Sequence, residues 1–243
     1  SSLVQVTVND LLHESQLREI GEYAFYKCSS LSGVYLPEGL ETIGRSAFYR
    51  SGLTSVEIPS TVTEIGPYAF YRCEALTEVT FAGGAAAQLR TVGTYAFAYC
   101  QVLEKIELPD AVTTIETRAF SQCRALTTLS LGQNLTFLGD YAFYYCMSLT
   151  EVTLPDSLTA VGGRVFYRCS ALASVTFGSG VTSIGDYAFY GCSALTELDL
   201  PLSLRAIGDY AFRSCTGLTS VILGDHVEAV GIHAFTGARG LTV

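Results

Sequence analysis

A single outline recurs along the chain, and its period constrains the fold more than any other feature. The cleanest copy runs from Ile184 to Leu200, IGDYAFYGCSALTELDL: Ile-Gly, a polar step, Ala-Phe, two outward residues, Cys, then Leu and an alternating apolar strand. The Phe returns at positions 25, 48, 70, 97, 120, 143, 166, 189, 212 and 235, spaced by 23, 22 and 27 and then by 23 six times. A period of this length predicts a stack of similar coils, not a globular fold around a pocket. One coil cannot bury its own apolar side, so stability has to come from its neighbours.

Each position in the coil has a physical reading. Ala precedes the Phe in nine copies, with Val165 in the other. Cys follows three residues after it in eight, replaced by Ser51 and Ala238 in the second and tenth. These offsets predict one helical turn with Ala, Phe and Cys facing inward. Gly stands four residues before the Phe in nine copies, with Glu116 in the fifth, and predicts a sharp corner at positive φ. Asp140, Asp186, Asp209, Thr94, Thr117 or Pro67 comes next, residue types suited to opening a helical turn. After the Cys, alternation such as Leu149-Thr150-Glu151-Val152-Thr153-Leu154 predicts a strand with Val152 and Leu154 inward. Pro or Gly then turns the chain. From Pro109 the two alternate through Gly132, Pro155, Gly178, Pro201 and Gly224, which hints at a two-coil unit.

Residues 1–17 do not fit the repeat. Leu3, Val4, Val6 and Val8 alternate loosely and Asn9-Asp10 signals a turn, so this stretch reads as a cap or divergent first coil ahead of a repeat domain at 18–243. Copy two is one residue short at Ser51-Gly52, and Gly83-Gly84-Ala85-Ala86-Ala87 adds four residues between copies three and four. Both changes fall at turns, where length is absorbed cheaply. The chain stops at Leu241-Thr242-Val243, where another strand is due, and reads as a segment of a longer protein. Neither a leader pattern nor an apolar run of membrane-spanning length is apparent. Net charge −9 and a pI near 4.8, without a basic stripe visible in the sequence, argue against nucleic acid and anionic membrane surfaces.

The consensus Leu-x-x-Val-x-Leu-Pro-x-x-Val/Leu-x-x-Ile-Gly-x-x-Ala-Phe-x-x-Cys-x-x-Leu resembles the BspA-like class of leucine-rich repeats, from Leu17 to Leu241. Ordinary leucine-rich repeats carry a buried Asn after the strand, and this chain lacks that ladder. The resemblance implies a right-handed solenoid of about ten ~23-residue repeats, with a parallel β-sheet on one face and short helical turns on the other. It also implies a secreted or surface-attached protein that adheres to host proteins or to other cells. No catalytic residue comes with it.

Each of the eight Cys occupies one repeat slot shared with Ser51 and Ala238, so the slot reads as small and buried, with free thiols. Thiols in a line at this spacing do not make a tetrahedral metal site. His13, His226 and His233 are too scattered for a triad. Two tyrosine rows stand out: Tyr23, Tyr68, Tyr95, Tyr141, Tyr187 and Tyr210 two residues before the Phe, and Tyr26, Tyr49, Tyr71, Tyr144, Tyr167 and Tyr190 one residue after it. Their faithful repetition is what coil-to-coil packing predicts. The outward row of the strand varies instead: Tyr35, Glu57, Glu78, Thr80, Lys105, Glu107, Glu151, Thr153, Thr176, Glu197 and Asp199, with Thr128, Ser130 and others between. Variation on a monotonous scaffold marks this row as the candidate binding face. The expectation is an extracellular, non-catalytic binding module with a protein or glycan partner, no cofactor, no nucleic acid and no membrane insertion. The alternative is a stalk that presents another domain.

Overall fold

The computed structural model describes residues 5–6 and 15–241, which form a stack of coils, each giving two short strands and one compact set of turns. The first row holds β1 (Gln5–Val6), β3 (Gly33–Val34), β5 (Ser55–Ile58), β7 (Glu78–Phe81), β9 (Lys105–Glu107), β11 (Thr128–Ser130), β13 (Glu151–Thr153), β15 (Ser174–Thr176), β17 (Glu197–Asp199) and β19 (Ser220–Ile222). The second holds β2 (Glu19–Ile20), β4 (Thr42–Ile43), β6 (Glu64–Ile65), β8 (Thr91–Val92), β10 (Thr114–Ile115), β12 (Phe137–Leu138), β14 (Ala160–Val161), β16 (Ser183–Ile184), β18 (Ala206–Ile207) and β20 (Ala229–Val230). Pairing is parallel and joins successive coils, as in Lys105↔Thr128 and Thr114↔Phe137. Gln5–Val6 pairs with Gly33–Val34, while Leu3, Val4, Val8, Asn9-Asp10, His13 and Thr242-Val243 lie outside the described residues.

The Phe column is the spine of the core. From Phe48 to Phe212 the rings are fully buried, and all ten stack with centroids 5.0–5.6 Å apart. Leu, Ile and Val from both strand rows close around them, with Val152 buried and Glu151 and Thr153 exposed, as the alternation predicts.

The segment carrying Ala-Phe is not helical, which corrects the expected helical turn. Tyr26 N–H donates to Tyr23 O within the turn, but Phe25 N–H donates to Ala47 O of the next coil, at 2.7 Å. The same alternation holds at every copy: the residues two before, at, and two after the Phe donate across each of the nine junctions. A helix would spend these N–H groups along its own axis; here they point along the stack. The backbone achieves this by entering the left-handed region at the two flanking slots in all ten copies, for example Tyr141 (φ 59°) and Tyr145 (φ 59°). These two slots hold every non-Gly residue of positive φ among the described ones. With an i→i+3 bond from Ala24 N–H to Gly21 O and positive φ only at the third residue, Gly21–Ala24 has the form of a type II turn.

The corner Gly is therefore needed for another reason than positive φ, which it does not have. A Cβ on Gly44 would sit 2.7 Å from Ile20 O, and one on Gly93 2.8 Å from Ile65 O, so close backbone approach favours Gly in these copies, while Gly21 meets no such neighbour and the fifth copy carries Glu116. The acids after it cap the neighbouring coil instead of a helix: Gly163 N–H donates to Asp140 Oδ1 at 2.7 Å and Asp209 N–H to Asp186 Oδ1 at 2.8 Å.

The first strand row is divided by proline. Where the later coil carries Ala82, Gly132, Gly178 or Gly224 after its strand, the two strands pair fully: β5–β7, β9–β11, β13–β15 and β17–β19. Where it carries Pro59, Pro155 or Pro201, no pairing joins the described strands, and before Pro109 only Glu78↔Lys105 remains. Ala82 shows what proline cannot do, since its N–H donates to Ile58 O at 2.9 Å. At Pro37 two pairs survive, both further from the ring. The Pro/Gly alternation thus divides this row into two-coil units. The second row is longer-ranged, six strands to β12 and then four from β14.

Candidate functional site

All eleven outward positions singled out in the sequence are exposed on the first strand row or, for Tyr35, beside it. Register sets their neighbours: Glu57 lies against Thr80 and Thr153 against Thr176, while Glu197 and Asp199 share β17. Four of them, Glu78, Thr80, Lys105 and Glu107, meet at an open depression of about 540 Å³ between β7 and β9. Two causes coincide there. The four extra residues after β7 form a single 3-10 turn, Gly84–Ala86, and Pro109 removes the N–H that would have continued the β7–β9 ladder. Lys105 Nζ meets Glu107 Oε2 at 2.9 Å across the rim, leaving Glu78 and Glu104 as acids without a cation at that distance among the described residues. Sequence reasoning missed Thr77, Glu104 and half-buried Phe81 in this lining; the 27-residue spacing was the available signal.

On the opposite edge the tyrosine rows stack, as repetition predicted. Ring centroids lie 4.8 Å apart for Tyr26–Tyr49 and Tyr68–Tyr95, 5.1 Å for Tyr144–Tyr167 and 4.7 Å for Tyr167–Tyr190. Arginines complete these stacks: Arg50, Arg72 and Arg168, two residues after the Phe, stand out in the sequence beside the tyrosine rows, whereas Arg118 and Arg164, two residues before it, were not singled out. Arg118 lies 4.4 Å from the Tyr141 centroid and donates from Nη1 to the Tyr95 hydroxyl; Arg164 lies 4.4 Å from Tyr187. Tyr99 and Tyr145 add rings two residues after the Phe, with Arg72 over Tyr99 at 4.8 Å. Sorting Arg together with Tyr by repeat position would have shown them.

The cysteines are more than small side chains. From Cys73 to Cys215, each Sγ donates to the carbonyl of the Phe in the preceding coil at 3.1–3.4 Å, as Cys169 does to Phe143 O. Ser51 takes part in the same column through a 3.3 Å contact with Cys73 Sγ. Burial pushes Cys123, Cys169 and Cys215 up to about 12 and Cys73 to about 11, so these thiols stay protonated and are poor nucleophiles. His226 is exposed; His233 tilts against Tyr210 and hydrogen-bonds Thr236 Oγ1 through Nδ1 at 3.1 Å. Among the described residues no group of three or more His, Cys, Asp or Glu comes together, and no helix is long and apolar enough to cross a membrane.

A family model described as the BspA type leucine rich repeat region matches six times over, across residues 5–127, 85–179 and 136–242. No curated protein matches. Among solved structures, a leucine rich repeat protein of T. pallidum is 28% identical with a TM-score of 0.57, over 83% of this chain and 82% of its own. A leucine-rich repeat protein from Bacteroides ovatus is 27% identical (TM-score 0.54; 93% and 69%). The pneumococcal vaccine antigen PcpA is 25% identical with a TM-score of 0.62, over 99% of this chain and 61% of that one.

Proposed function

The chain belongs to the BspA-type leucine-rich repeat family, and from that premise we propose that it is a non-catalytic, surface-displayed binding module. Its partner is a protein or glycan on a host or another cell, held on the outward strand face. The observation that carries this reading is the depression between β7 and β9, where the varied row departs from the monotony of the stack to form a concave, acidic-rimmed surface. Strand positions sit on a rigid scaffold, which keeps the entropy cost of binding low. Two unpaired acids on its rim suit a basic patch on a protein partner. The seven thiols from Cys73 to Cys215, buried and each donating to a Phe carbonyl, are poor nucleophiles.

The test is adhesion of the purified chain to epithelial monolayers and to immobilised extracellular-matrix extract. Glu78→Lys with Glu107→Lys is expected to weaken adhesion, most at low salt, where exposed charges are least screened. Thermal unfolding should stay within about 0.5 kcal/mol of the parent, as for surface substitutions generally. Adhesion that survives this double reversal rejects the strand-face site. A parent chain that adheres to nothing supports the stalk instead.

A further inference from the structure

The charge of this protein is divided between its faces. The ten segments that run from each corner position to the residue after the Cys slot form a continuous ridge along the stack. They hold ten of the fourteen Lys and Arg and only six of the twenty-three Asp and Glu, so the ridge is net +4 in a chain of net −9. The sequence reading found no basic stripe because the acids of the other faces conceal it in the total. Its cations are held in place: Arg45, Arg118 and Arg164 lie over Tyr rings of the row before the Phe, and Arg72 and Arg168 over Tyr99 and Tyr145. None of these five arginines lies within ion-pair distance of a described carboxylate. Unpaired guanidinium groups fixed by stacking are prepaid in side-chain entropy and free to bind an anion.

The ridge also contains a hollow of about 290 Å³. It exists because Gly191 (φ 73°) occupies the slot that carries Lys, Arg, Tyr, Gln or Ser in every other copy but the last, where Gly237 stands, and so leaves no side chain next to Arg168. Arg168, Tyr145 and Tyr190 line it, with the hydroxyls of Ser170, Ser193 and Ser214, and no carboxylate does. One guanidinium among hydroxyl groups is a recognition set for an anionic substituent on a hydroxyl-rich molecule. Met147, at the same rim and 42% exposed, offers an apolar contact for a sugar's C–H face.

We propose that this ridge, centred on the hollow at Gly191 and Arg168, binds a linear anionic glycan through its sulfate or carboxylate groups. Nucleic acid fits less well. Single strands are held by bases stacked on free aromatic faces, and here Tyr167 is sandwiched between Tyr144 and Tyr190, each of which gives one face to it. The arginine-bearing stretch from Arg45 to Arg213 covers seven coil steps of about 4.8 Å, on the order of 35 Å, which suits a thin chain laid lengthwise.

The experiment measures binding of the whole chain to heparin, to fully desulfated heparin and to a single-stranded oligonucleotide of matched charge. Heparin is expected to bind best, with desulfation weakening binding by at least about tenfold, as loss of a charge-assisted hydrogen bond does. Arg168→Gln with Arg164→Gln should lose a similar factor. Gly191→Asn should lose binding as well while keeping every charge, because Asn tolerates this φ and fills the hollow. Glu78→Lys with Glu107→Lys, on the other face, should leave heparin binding undiminished, so failure here and failure of the strand-face site are separable. Absence of heparin binding, equal binding of the oligonucleotide or the desulfated chain, or Arg168 and Gly191 variants that bind like the parent each overturn the proposal.

Discussion

The turn ridge and the outward strand face are built from the same coils, yet they are held together differently. Across the ridge each of the nine junctions carries three backbone hydrogen bonds, and the Phe, Tyr and Cys columns run beside them. On the strand face the ladder is interrupted wherever the later coil brings Pro59, Pro155 or Pro201, and the exposed side chains change from coil to coil. Cohesion along the stack is thus concentrated on one side. That is what frees the other side to vary in sequence without unravelling the fold.

The largest effect expected from this division is alkaline. Burial raises the ridge-side thiols, so as pH climbs the unfolded chain loses their protons first. Their contribution is complete below the ordinary thiol value of 9.0 and is lost as pH rises toward 11 to 12. With each shifted group costing up to about 1.4 kcal/mol per pH unit, several acting together should unfold the chain by about pH 11, read by circular dichroism. A chain fully folded at that pH would show that the thiol column contributes little.

Next comes the spine itself. Phe143, fully buried between Phe120 and Phe166, should cost about 3–5 kcal/mol on change to Ala. Phe235 is half-buried in a coil whose Ile222 and Ile232 are 77% and 64% exposed, so Phe235→Ala should cost clearly less in urea melts. Equal losses would mean that the last coil is covered as well as the middle one.

A matched pair sharpens the comparison between the faces. Tyr144→Ala with Tyr167→Ala removes two stacked rings and should cost about 1–3 kcal/mol. Glu151→Ala with Thr153→Ala, both on β13 of the strand face between these two tyrosines, should stay within about 0.5 kcal/mol. If the strand pair costs as much as the tyrosines, cohesion is not one-sided.

The smallest effect tests the cause of the interruptions. Pro155→Ala supplies the N–H missing opposite Leu131, worth about 1 kcal/mol, and gives up about 0.4–1 kcal/mol of proline's restraint on the unfolded chain. Stability should hardly move. The amide at position 155 should nonetheless exchange slowly, and rapid exchange would show that something besides proline parts β11 from β13.

The sequence by itself determined the period, the stacking, the inward Phe, Leu and Val, and the exposure of the variable strand row. Those follow from hydrophobic spacing, which depends on the chain's own neighbours. It could not decide how the Ala-Phe segment spends its backbone hydrogen bonds. Ala, Phe and Cys at those offsets face inward in a helical turn and in alternating left-handed turns alike. Only contact with the next coil, whose carbonyls accept from Phe25 and its counterparts, selects the second. The same holds for the corner Gly, favoured by a neighbour's backbone, and for the depression at Glu78, which needs an insertion and a proline from different coils to meet. The basic ridge was concealed for a related reason. Net charge adds all faces together, whereas a ligand meets only the one that the coiling of the chain turns toward it.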